Sequence, residues 1–416
     1  MRFRLTVILC VLLLSTTLSA ALGDQPDFPG RIAVIGDDYN VYTLSAADTA
    51  QLTTDGSRER AYQWPTWARD GRLAFFCCDL TSTSNLRTGV FISPDGMASA
   101  RQVMSTIAQP IIYANWSPAA CSADGACWTL SILVNDLRSN RLRVELVRDE
   151  GSEHTVREVA IGAPFYTTFS PDGQSIFMHR NNFLLEVYDI AANRSRLIEG
   201  RSSGTFQTAA WSPVDNSLLY GIAGSDQTTT LVINQDGNIR TVASGLSGLV
   251  AFVWSPDGTM IAYRTRTQRS LDPVVVVNAR TGRVISTGGQ DVFAFWWSPD
   301  SRKLAFLSLV RPGDAALLSR QPVQDAPNVR TRWVIMDVET GELTALSPFV
   351  PNYELAYFAN YFDQFAVSHR VWSPDSRYLV YSEAVGADSN QVTLADTLTG
   401  ESFRLTEGRL GVWSWN

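Results

Sequence analysis

The 416-residue sequence is 45% hydrophobic and 18% charged, a balance that places it among folded globular proteins and apart from disordered or fibrous chains. Its net charge of −7 repels phosphate backbones, so nucleic acid is not an expected partner. After the N-terminal region no stretch is apolar for the length of a bilayer span, and no integral membrane protein is expected.

Residues 1–23 have a basic start at Arg2 and Arg4, an apolar core from Leu5 to Leu14, and small residues at Ser19, Ala20 and Ala21. That is a secretory signal pattern, with a retained anchor as the alternative. A periplasmic or secreted protein follows, with residues 24–416 as one domain. Beyond the signal lie Cys77, Cys78, Cys121 and Cys127. Export permits disulfides, and Cys121–Cys127 is the preferred pair; four free thiols are the alternative.

Residues 31–55 contain three short strand-like runs. A phrase then recurs down the chain: "TWARDGRLAFF", "NWSPAACSADGACWTL", "TFSPDGQSIFM", "AWSPVDNSLLY", "VWSPDGTMIAY", "WWSPDSRKLAF" and "VWSPDSRYLVY". Its aromatic anchors are Trp67, Trp116, Phe169, Trp211, Trp254, Trp297 and Trp372, and the chain ends on "GVWSWN" with Trp413. Ser-Pro-Asp-Gly suits a type I turn, with Pro presetting φ and the Ser and Asp side chains bonding nearby amides. An apolar strand precedes each turn and three follow it. A period of roughly 40–45 residues with four short strands is the signature of propeller blades. The anchors supply apolar area to the seams between blades. No stretch shows a sustained helical period.

Seven units are complete. The N-terminal segment lacks a first strand, and "RLGVWSWN" is a first strand without the rest. Joined, they make an eighth blade, closed by three N-terminal strands and one C-terminal strand. The expected fold is all-β: a single β-propeller of eight four-stranded blades, or seven if the N-terminal segment packs outside.

The repeats "WSPDG" and "WSPDS" resemble those of TolB-type (PD40, WD40-like) periplasmic proteins and of the propellers of prolyl-oligopeptidase-like peptidases. The resemblance covers nearly the whole mature chain and implies an exported scaffold. The α/β domain ahead of the TolB propeller, and the peptidases' hydrolase domain, are not expected here.

Catalytic signals are sparse. Gly200-Arg-Ser-Ser-Gly204 fits a hydrolase nucleophile pattern, but it falls between blades, where a Gly/Ser loop explains Ser202. His154, His179 and His369 lie in different units and form no metal motif. Asp172, Asp257, Asp300 and Asp375 share one turn position, so capping explains them. Asp37 and Asp38 form an acidic turn. Asn193-Arg-Ser195 is a sequon, and Asn115-Trp-Ser117 lies in a strand. No catalytic residue, metal or cofactor is expected.

Between Trp297 and Trp372 two insertions, at 310–330 and 347–370, rise over one face. The second carries Tyr353, Tyr357, Phe358, Tyr361, Phe362 and Phe365. Exposed, these aromatics would suit a partner or a sugar; buried, they would plug the channel. The expected contact residues are Tyr361, Phe362, Asp363, Gln364, Phe365, His369 and Arg370. The expected function is a monomeric, non-enzymatic scaffold binding a protein or cell-envelope component through that face. The alternative is a propeller-fold hydrolase or lyase acting on polysaccharide or peptide.

Overall fold

The computed structural model describes residues 26–79, 86–199, 208–268, 270–310 and 330–416. Residues 1–23, Ser202 and most of the 310–330 insertion lie outside them. Eight antiparallel sheets follow one another around an axis. Blade 5 is representative, with strands Leu249–Trp254, Met260–Arg266, Val274–Asn278 and Val284–Gly288 in that order from the axis outward. The innermost strand is buried along almost its whole length, because neighbouring blades cover both of its faces. The outermost strand is largely exposed.

The ring closes as the sequence suggests. Leu410–Trp413 pairs antiparallel with Ile32–Ile35, which leads outward to Val41–Leu44 and Thr49–Gln51. Gly411 is tightly packed at this joint. A Cβ there would lie 2.7 Å from Val392 and 2.8 Å from Val380 of the preceding blade.

Seven of the eight anchors end an innermost strand, Trp372 holds the same place through a bridge, and several carry a bond across the seam. Trp116 Nε1 donates to the Thr66 carbonyl at 3.1 Å, and Trp297 Nε1 to that of Val253 at 3.2 Å. Trp372 Nε1 donates to Trp296 at 3.1 Å, and Trp67 Nε1 to Val412 at 3.2 Å across the closure. The acceptor is always the residue just before the previous blade's anchor. The indoles of Trp211, Trp254 and Trp413 bury their N–H without an acceptor among the described residues.

The Ser-Pro turns behave as capping motifs. Gly258 N–H closes the turn on Ser255 O at 2.9 Å, with Gly258 at φ +70°. Asp257 accepts from Thr259 N–H at 3.0 Å, and Asp300 from Arg302 N–H at 3.1 Å. In the two "WSPDS" copies Ser301 and Ser376 hold the left-handed position, at φ +62° and +61°. Their hydroxyls accept from Asp257 N–H and Asp300 N–H of the preceding turn, both at 3.1 Å. A cross-blade bond thus offsets the strain of a non-glycine residue there.

Two features depart from the sequence reading. Blade 7 has three regular strands, and its innermost position is held by bridges from Arg370 to Trp413 and Trp372 to Leu379. The second insertion is helical, with α1 at Tyr353–Asn360 and α2 at Phe362–Phe365. Asn352 caps α1, accepting from Leu355 N–H at 3.0 Å.

The seam bonds predict a difference between two chemically identical changes. Trp372→Phe removes an indole bond that Trp254→Phe does not. The first is expected to cost about 1 kcal/mol more in urea unfolding. Equal costs would show that the seam bond contributes nothing net.

Candidate functional site

The two helices enter the channel and divide it. Leu355, Ala359 and Phe362 pack into the core of blades 5–7, while Phe358 and Phe365 pack into that of blades 1–3 and 8. Phe358 stacks on Phe365 at 4.3 Å and on Trp64 at 5.4 Å. Trp64 sits at φ +51° in an irregular stretch of blade 1's innermost strand, Arg60–Trp67, where the pairing register shifts. That kink turns its ring onto the helices. On the opposite wall Phe362 lies 4.6 Å from Phe295, with the Arg264 guanidinium 5.3 Å from its centroid.

Polar bonds fix the plug as well. Gln364 donates to Thr167 O at 2.8 Å and accepts from Thr167 N–H at 3.0 Å, pairing with blade 3 as a strand would. Tyr113 of blade 2 donates to Gln364 O at 3.1 Å. His369 is packed against Phe358 and Phe365, with Nδ1 2.7 Å from the Ser368 hydroxyl. Burial drives its pKa down to about 3, against the pull of the Trp64 backbone, so the ring is neutral.

Beneath the plug, toward the Ser-Pro turns, a cavity of about 400 Å³ remains. The prolines of five turns line it, from Pro118 to Pro299, so it opens on the turn face. Its walls are the anchors Trp67, Trp116, Trp211, Trp254, Trp297 and Trp372, interspersed with Asn115, Thr168 and Thr208. Trp415 stands at the rim, donating to Trp67 O at 2.8 Å. The guanidiniums of Arg370 and Arg69 lie 4.7 and 5.1 Å from its ring centroid. Asp363, Ala366 and Val367 form the floor.

Asp363 is 2% exposed, and neither of its carboxyl oxygens has a hydrogen-bond partner among the described residues. Burial pushes its pKa up to about 6, opposed at longer range by Arg264 and by nearby backbone amides. Burial also lowers Arg370 to about 10, with the like charge of Arg69 adding to it.

The seven expected contact residues therefore divide. Phe362, Gln364, Phe365 and His369 are buried in the plug, and Tyr361 packs against it. Asp363 and Arg370 reach the cavity on the other face. Of the insertion's aromatics Tyr353 is the exposed one, at 70%. The aromatics thus take the plugging arrangement rather than an open display. Sequence reasoning passed over Arg69 and Trp415, although an aromatic anchor in every repeat, most of them next to a Ser-Pro turn, already implied an aromatic rim.

The other candidates are dispersed. His154 approaches Arg101 at 3.3 Å in blade 2, and His179 is buried in blade 3. Asp37 accepts two bonds from Asn390, and Asp38 caps its own turn. No group of three or more His, Cys, Asp or Glu side chains suited to a metal occurs among the described residues. Cys121 and Cys127 are joined, the preferred pair, whereas Cys77 and Cys78 are buried free thiols. No helix among the described residues is long and apolar enough to cross a membrane.

No protein-family model matches the chain, and no curated protein matches it. Many solved structures do. The dihydro-haem d1 dehydrogenase NirN, solved with DHE, matches 95% of this chain and 77% of its own at 16% identity and a TM-score of 0.53. One of two prolyl endopeptidases matches 84% of this chain and 50% of its own at 11% identity, with the same TM-score. TolB from Acinetobacter baumannii matches 80% and 79% at 11% identity, with a TM-score of 0.39. At these identities the two likenesses with a TM-score of 0.53 bear on the propeller fold alone. The eight-bladed ring agrees with the propeller expected from the repeats.

His369 and Asp363 give opposite pH dependences. The folded pKa of His369, about 3, lies below the ordinary 6.5, so the unfolded chain takes up the proton first and stability falls as pH drops through that range. The folded pKa of Asp363, about 6, lies above the ordinary 3.8, so the native state holds the proton and stability falls as pH rises through 6. Between pH 7 and pH 5, His369→Phe should abolish about 2 kcal/mol of acid destabilisation, and Asp363→Asn about 1 kcal/mol of acid stabilisation. Urea midpoints at both pH values read each change. Parallel pH profiles for wild type and variants would contradict it.

Proposed function

We propose that the protein is an exported, non-enzymatic propeller scaffold that recognises a protein or cell-envelope partner. The open cavity on the Ser-Pro face is its contact site, and the plug is the rigid floor of that site. The carrying observation is the cavity itself. It is concave, walled by indoles of which four are held by seam bonds, and furnished with a few polar groups, the usual make-up of a preformed binding site. The signal pattern of residues 1–23 and the Cys121–Cys127 bridge support export.

The lining favours holding over turnover. Its one carboxyl, Asp363, keeps both oxygens buried, and two guanidiniums complete the charged lining, whereas acid–base cleavage of a glycoside generally draws on a pair of accessible carboxyls. His369, the nearest imidazole, lies inside the plug.

A second reading rests on the exposure of Tyr353, which marks the plug face, carrying the 347–370 insertion, as the alternative contact surface; the 310–330 insertion expected beside it lies mostly outside the described residues. Pull-downs from envelope extracts should separate the two. Arg69→Glu reverses a charge at the cavity rim, and Tyr353→Ser alters only the plug face. Partners lost with Arg69→Glu and kept with Tyr353→Ser support the turn face. The reverse pattern moves the site to residues 353–370.

A further inference from the structure

The cavity wall is not uniform around the axis. In each blade the residue just before the anchor lies one step deeper, about 3.3 Å further from the turn face. In blades 4–7 that residue is Ala210, Val253, Trp296 or Val371, and all four line the cavity with apolar side chains. In blades 2 and 3 it is Asn115 and Thr168. The cavity is therefore amphipathic, with neutral polar groups along one arc and apolar groups along the other.

Asn115 and Thr168 are 7% and 8% exposed, and their side chains make no hydrogen bond among the described residues. Unlike the sealed oxygens of Asp363, their polar atoms keep some open surface, and they line the cavity. Buried polar groups are ordinarily satisfied, so a pair left free on one wall of a cavity points to a ligand that completes them. The seams show why this arc is open. At four seams the carbonyl just before an anchor receives the next blade's indole N–H. Blade 3's anchor is Phe169, which has no N–H to give to blade 2 and is smaller than an indole.

These groups define the ligand. A carboxamide and a hydroxyl each both donate and accept, and a hydroxyl on the ligand can answer either role. Neither carries a charge, so the bonded side of the ligand is neutral. The opposite arc calls for an apolar face. A pyranose ring combines the two, with hydroxyls round its edge and C–H bonds on its faces. Two side chains on adjacent blades suit ring hydroxyls better than the evenly spaced amides of an extended peptide, which pair with a strand edge. At about 400 Å³ the space is near the lower end of ligand pockets, enough for one or two such rings.

Resting on the turn face as the contact site, we infer that the cavity binds a neutral sugar, a pyranose whose hydroxyls bond Asn115 and Thr168 and whose C–H face lies against the indoles of Trp254, Trp297 and Trp372. No bond is made or broken.

The indole wall makes tryptophan fluorescence a direct readout. Glucose, galactose, mannose and N-acetylglucosamine, each as monosaccharide and disaccharide, are titrated into the full chain. Three controls run beside them: glycerol, which has hydroxyls without a ring face, cyclohexanol, which has a ring without the polyol edge, and tetraglycine. At least one sugar is expected to bind saturably, about ten-fold or more tighter than any control. Asn115→Leu and Thr168→Val keep the approximate shape and remove the bonds, and each should weaken that sugar about five-fold or more. Thermal melts establish that the variants are folded; the wild-type panel decides even if one is not.

Failure of every sugar to exceed the controls, or unchanged affinity in both folded variants, overturns the inference. Saturable binding of tetraglycine alone also overturns it and makes the ligand a peptide. The wider reading fails differently. If Arg69→Glu loses envelope partners while no sugar binds, the turn face remains the contact site and the ligand is of another class. If a sugar binds as described but Arg69→Glu captures every partner normally, the saccharide site stands and partner recognition lies elsewhere.

Discussion

Eight sheets around one axis enclose a channel, and protein interiors do not leave wide voids unfilled. How that channel is occupied governs the rest of this structure. One half is filled from within the chain by α1 and α2, and the other half is left open to the turn face. The helices are more than filler. Through Phe358, Phe362, Gln364 and Phe365 they touch blades 1, 3 and 6, and Tyr113 ties blade 2 to the same point. A ring that seam contacts alone would hold only between neighbours thereby gains contacts across its diameter.

The anchor tryptophans serve two ends. At the seam, indole N–H groups reach the preceding blade's innermost strand and fix the stagger between sheets. At the axis, the same rings become the cavity wall. A wall made of structural residues is pre-organised, so a ligand need not order it on binding. Asp363 under the floor and the guanidiniums at the rim come from outside this repeat, on α2, the first turn and the chain that follows the helices.

Legibility in the sequence followed repetition. The blades, their turns and the three-plus-one closure were readable because one phrase recurs with its chemistry intact. Even Phe169, which lacks an indole, kept its place beside Ser-Pro-Asp-Gly. The helices were harder. Leu355, Phe358, Ala359 and Phe362 do follow a helical spacing after an Asn cap, but Tyr353, Tyr357 and Tyr361 put aromatics on the other face too, so the segment read as an aromatic loop. Asp363 and Arg370 were singled out for standing beside those aromatics. The face they serve could not be read, because nothing local to residues 353–370 shows that the segment turns inward. Arg69 joins them only through the ring, nearly 300 residues away in sequence.

The central claim is that the inward face of residues 355–369 forms an internal plug held as firmly as the innermost strands. Native-state hydrogen exchange tests it most directly. The amides of Ala356, Tyr361, Gln364, Phe365 and His369 donate within the plug, and they should exchange only with global unfolding, like those of Leu249–Trp254. Exchange of these amides at the rate of an exposed loop, while the innermost strands stay protected, would contradict the account and leave the cavity without a floor.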